Sequence, residues 1–63
     1  MTAQQFRDVL ASLGLSQMEL SRLFKVSDRT VRNWADRGVD YGPVVILLQL
    51  LGDGTLVIGD LLP

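Results

Sequence analysis

Apolar residues recur at steps of three and four along the first part of the chain. Phe6, Val9, Leu10 and Leu13 fall on one face of an amphipathic helix. Thr2 can cap its start, and Gly14 can end it in a left-handed conformation. Ser16-Gln17-Met18-Glu19 is a capping box, in which the serine oxygen accepts from a backbone N–H and the glutamate reaches back. Leu20, Leu23 and Phe24 carry the buried side of that second helix. Ser27 opens a third as its N-cap, with Asp28 in the first turn to complement the helix dipole. Val31, Trp34 and Ala35 form its apolar face, and Gly38 ends it. Three helices therefore fit between residues 2 and 37, with very short links.

Beyond them the pattern changes. Gly42-Pro43 places proline near the first position of a fourth element. Val44 to Leu51 is apolar nearly all round, so a helix there must be covered on more than one side. The β-branched Val44, Val45 and Ile46, with the Asp53-Gly54 turn signal, make a strand pair over 44–58 the competing reading. Pro43 and Gly52 bracket the run and favour the helix. In the tail, Leu56-Val57-Ile58 is strand-like while Asp60-Leu61-Leu62 suits a last helical turn. Gly52-Asp53-Gly54 matches neither the dinucleotide nor the phosphate-loop glycine pattern and reads as a turn. The expectation is an all-α, compact bundle of four to five helices in one domain spanning 1–63.

Composition narrows the chemistry. At 63 residues and 48% hydrophobic, the chain suits a globule with a small core, a size that normally takes extra support. With no cysteine and no histidine, disulfides, thiolate or imidazole metal sites and histidine-dependent nucleophiles are excluded. The carboxylates are scattered, so no enzyme, metal or cofactor is expected, and a partner subunit is the remaining support. The first residues lack a basic, apolar leader, and the longest apolar run is far short of a membrane span; a cytoplasmic protein is expected. A net charge of −1 hides an asymmetry. Residues 21–37 hold five bases against two acids, whereas residues 38–63 hold three acids and no base. That is the pattern of a contact surface beside a separate assembly surface.

The stretch Leu15 to Trp34 reads Leu-Ser-Gln-x-x-Leu-Ser-x-x-Phe-x-Val-Ser-x-x-Thr-Val-x-x-Trp. It resembles the helix-turn-helix of Cro- and phage-repressor-like (XRE-type) transcriptional regulators, among them small regulators of mobile elements such as those accompanying anti-CRISPR genes. Two positions depart from that pattern. Lys25 stands where the family usually has glycine in a left-handed turn, and Ser21 where it prefers alanine. The resemblance implies a central helix-turn-helix whose second helix, Ser27 to about Arg37, enters the major groove. At 100° per residue, Arg29, Arg32, Asn33, Asp36 and Arg37 lie opposite the apolar face. Arginine pairs bidentately with guanine, asparagine with adenine, and a carboxylate accepts from cytosine. Arg29, Asn33, Arg32 and Asp28 are accordingly the expected base readers. Asp28, Arg32 and Asp36 also have the spacing of a surface charge ladder, whereas Arg29, Asn33 and Arg37 form a stripe with no acid among them.

Phosphate contacts are expected from Ser16 and Gln17 at the start of the earlier helix, where free N–H groups favour an anion, and from Lys25, Ser27, Thr30 and Arg37. Trp34, Met18 and Leu23 are expected to pack. Residues 43–63 are the expected dimerisation segment, with Val45, Leu48, Leu51, Leu56, Ile58 and Leu61 at the interface. The function implied is sequence-specific binding of double-stranded DNA by a homodimer, a transcriptional (auto)repressor at a palindromic operator, with no small-molecule ligand. The alternative is a protein-interaction module, an antitoxin or adaptor that uses the apolar C-terminal segment.

Overall fold

The structure, a computed structural model, describes residues 1–61; the side chains of Asp60 and Leu61 lie outside the described residues, as do Leu62 and Pro63. The chain forms four α-helices, α1 (Ala3–Leu13), α2 (Gln17–Phe24), α3 (Asp28–Arg37) and α4 (Gly42–Gly52), followed by a 3₁₀ turn, Ile58–Leu61. Among the described residues there is no strand, so the competing strand pair over 44–58 is not formed and the tail ends in a helical turn.

Each of the first three helices starts on the side chain expected of it. Thr2 accepts from the N–H of Gln5, whose side chain accepts from the N–H of Thr2 in return. Ser16 and Glu19 make the same reciprocal pair, and Ser27 accepts from the N–H of Thr30. The first two also end alike. Gly14 (φ 69°, ψ 26°) and Lys25 (φ 56°, ψ 43°) are both left-handed. In each case the next N–H reaches back five residues, Leu15 to the carbonyl of Leu10 and Val26 to that of Ser21, both at 3.0 Å. This pairing satisfies carbonyls that a helix end would leave open. Lys25 is the only non-glycine residue with positive φ among those described.

The core draws one or two residues from each α-helix and one from a loop: Phe6 and Leu10 of α1, Leu20 of α2, Val31 and Ala35 of α3, Val39 of the following loop and Leu48 of α4. Trp34 packs against it, its ring meeting Phe6 edge-on at 5.9 Å between centroids, a favoured aromatic geometry. Arg7 ties α1 to the end of α3 by donating to the carbonyl of Ala35 at 3.3 Å, a cation set against the negative end of the helix dipole.

Two expected interface residues belong to this core instead. Leu48 is fully buried and Leu51 is 2% exposed; α4 packs along α1, and Leu48 shares one cluster with Phe6 and Leu10 of that helix. Val45 also packs on the core and is only half-buried. Leu56 and Ile58 are half-buried, with the N–H of Leu56 donating to the carbonyl of Leu50 at 3.0 Å. The side chain of Leu61 falls outside the described residues. The outer side of α4 is marked by Ile46, 59% exposed. It lies two positions before Leu48, hence on roughly the opposite side of the helix.

Candidate nucleic-acid interface

Residues Lys25, Val26 and Ser27 connect α2 to α3; the two helices pack on one another, and Leu20 and Val31, both fully buried, belong to one core cluster. That packing fixes which side of α3 faces out. Arg29, Arg32, Asn33, Asp36 and Arg37 are all exposed, and Val31 and Ala35 are buried. The predicted outer face is therefore the one presented.

None of those five exposed side chains has a hydrogen-bond or ion-pair partner among the described residues. The Asp28–Arg32–Asp36 charge ladder is not formed. Asp28, expected among the base readers, is engaged within the molecule. Its Oδ1 lies 2.6 Å from the hydroxyl of Ser21, which also lies 2.7 Å from the carbonyl of Met18. One hydroxyl proton faces two acceptors, and the carboxylate is the stronger. Ser21 itself is buried, 4% exposed, so this serine, where the resembling family prefers alanine, is a tie between α2 and α3.

The expected phosphate-binding residues border this face. Ser16 accepts from the N–H of Glu19 at 3.0 Å and donates its own N–H to the Glu19 carboxylate at 3.0 Å. That second bond holds the Glu19 carboxyl below its ordinary value of 4.5 and takes one donor from the helix start. The backbone N–H groups of Gln17 and Met18 precede the first intrahelical bond and keep their donors. Ser27 and Thr30 share a hydrogen bond between hydroxyls at 2.9 Å. That uses one of their two protons and leaves one to donate outward. Lys25 and Arg37 are exposed at either end of the face.

Met18 was expected to pack and does not: it is 52% exposed, its sulfur 3.6 Å from Nη2 of Arg22. The signal was in its spacing, about 160° around the helix from Leu20 at 100° per residue. Leu23 is half-buried as expected. Ser16, Gln17, Met18, Asp28 and Arg32 together surround an open hollow of about 420 Å³, which joins the start of α2 to the outer face of α3. Arg7, which sequence reasoning passed over, carries no periodic signal that would have assigned it to the end of α3.

Among the described residues there is no cluster of metal-ligating side chains, and no helix is long and apolar enough to cross a membrane. No family model, no curated protein and no solved structure matches this chain.

Proposed function

We propose that the chain is a sequence-specific DNA-binding protein in which α2 and α3 form a helix-turn-helix, acting as a homodimeric transcriptional repressor. One observation carries the reading: α3 presents Arg29, Arg32, Asn33 and Arg37 outward with no partner among the described residues. An exposed stripe of donors that stabilises nothing in its own molecule is suited to an external set of acceptors. Guanine O6 and N7, adenine N7 and the flanking phosphates are such a set. Arg29, Arg32 and Asn33 read bases. Arg37, Lys25, Gln17, Ser16 and the Ser27–Thr30 pair hold the backbone, and Asp28 is set aside for the Ser21 tie.

Size supports a dimer. A single unit with three base-reading side chains is a weak reader, and half-sites one turn apart lie about 34 Å from one another. The protein measures 27 × 21 × 21 Å. Two copies in contact along a short axis place their centres about 21 Å apart, so each α3 must sit roughly 6.5 Å outboard of its own centre. That is well inside the 10.5 Å radius of gyration. The outer side of α4 with Ile46, Leu47 and Leu50, together with Val57 and Ile58 of the tail, supplies apolar surface for the contact.

Selection of bound duplexes from a randomised pool at physiological salt tests the reading. Enrichment of an inverted repeat supports it, and Arg29→Ala should then lose roughly tenfold or more in affinity with the fold intact. A pool that stays random overturns it. The same apolar surface would then favour the second reading, a module that holds a protein partner.

A further inference from the structure

The outer face of α3 contains a pair that ought to meet and does not. Asp28 and Arg32 are four residues apart, neighbours on a helix surface, with the acid on the N-terminal side, the favourable order for an ion pair. Yet Arg32 has no ion-pair partner among the described residues. The Asp28 carboxylate is turned instead to the hydroxyl of Ser21, 2.6 Å away on α2. Ser21 is 4% exposed, the one polar residue among the described buried side chains. Its hydroxyl is screened from competing water. A short bond from a buried donor to a charged acceptor outweighs an ion pair open to solvent.

We infer that Ser21 is a positioning residue: it holds the Asp28 carboxylate away from the Arg32 guanidinium and so keeps that arginine free to read a base. This inference rests on the reading of α3 as the DNA-reading helix. Arg32 and Asp28 both line the hollow that opens toward Gln17 and Met18. An arginine held by Asp28 would lie along its own helix with its donors partly spent. Without that partner, the exposed guanidinium keeps all its donors for the bidentate pairing a guanine edge requires. Ser21 touches no DNA in this scheme and acts through Asp28.

The test compares the wild-type chain with Ser21→Ala and with the double variant Ser21→Ala/Asp28→Asn. Alanine at position 21 keeps a good helix former in a buried site, and far-UV circular dichroism checks the fold. Against a selected duplex, Ser21→Ala should weaken binding roughly tenfold, the loss concentrated at one base position. The double variant, which removes the carboxylate that would capture Arg32, should recover to within about twofold of wild type. Unchanged binding by Ser21→Ala overturns the inference, as does a double variant no better than the single one, since a serine that merely packs would not be rescued through Asp28. A readout without DNA separates this from the function itself. The Nε–H of Arg32, followed by NMR, should exchange more slowly in Ser21→Ala and return to the wild-type rate in the double variant. If no duplex is ever selected but that exchange pattern appears, the positioning role stands and the DNA reading falls. If exchange is the same in all three proteins, the positioning role falls.

Discussion

The backbone N–H of Val39 donates to the carbonyl of Met1 at 2.8 Å, and the α-ammonium of Met1 donates to the carbonyl of Val39 at 3.0 Å. This two-way pairing joins Met1, two residues before α1, to the loop after α3 and closes the core over Val39, which is fully buried. It depends on Gly38. That residue has φ 94° and ψ 179°, a region essentially reserved for glycine. A Cβ there would stand 2.5 Å from the Met1 carbonyl oxygen. Gly38→Ala should therefore lower the unfolding free energy by about 2–3 kcal/mol. Urea denaturation measures this, and a loss under about 0.5 kcal/mol, within ordinary surface effects, would show that the close approach is not what holds this loop in place.

Lys25 should respond in the opposite direction. It occupies a left-handed conformation that costs a side chain roughly 1–2 kcal/mol, only partly offset by the greater freedom glycine has when unfolded. Lys25→Gly is expected to stabilise the fold by about 0.5–1 kcal/mol, raising the midpoint of thermal unfolding by roughly 2–8 °C in a domain this small. A lower midpoint would contradict the left-handed assignment.

The cap at the start of α2 makes stability depend on pH. The N–H and hydroxyl of Ser16 hold the Glu19 carboxyl below its ordinary value of 4.5, so the folded state favours the charged form. This contribution is fully present above about pH 4.5 and is lost as pH falls through the lowered folded value. Asp53, held below its ordinary 3.8 by Thr55, acts with the same sign in a more acidic window. Glu19→Gln keeps an acceptor for the Ser16 N–H and should flatten the part of the stability–pH curve just below 4.5. An unaltered acid limb would show that the cap does not contribute to it.

Asp36 sits on the outer face of α3 among three arginines, exposed and without a partner among the described residues. If that face meets DNA, its charge opposes the phosphates. Asp36→Asn is expected to raise affinity severalfold and steepen the salt dependence. Titrations at two salt concentrations decide this, and weaker binding would instead place Asp36 in contact with a base.

Self-association can be tested without touching the core. Ile46 is exposed and belongs to no buried cluster, so Ile46→Asp should leave the fold intact. Sedimentation equilibrium should show the wild type as a dimer and the variant as a monomer. A variant that remains dimeric places the interface elsewhere.

The helix boundaries were legible because each is a local matter. Thr2, Ser16 and Ser27 each sit four residues before the first core residue of their helix, Phe6, Leu20 and Val31, and a cap needs only its own next three residues. Three-dimensional relations were less accessible. Val44 to Leu51 is apolar nearly all round, with Gln49 its one polar residue, so periodicity alone did not separate Leu48 and Leu51, which are buried, from Ile46, which is exposed. Ser21 and Asp28 are seven residues apart on different helices, and only the packing of α2 on α3 makes them neighbours. The Met1–Val39 pairing spans most of the chain and has no sequence signature beyond Gly38.

The arginines and asparagine on the outside of α3 hold up nothing, and this sets how the protein can change. Arg29, Arg32, Asn33 and Arg37 make no side-chain bond to the rest of the described chain, so replacing any of them disturbs neither the caps nor the core. If α3 reads DNA as proposed, its target can therefore drift, one residue at a time, without loss of folding. Homologous copies could diverge in target while remaining interchangeable as folded units.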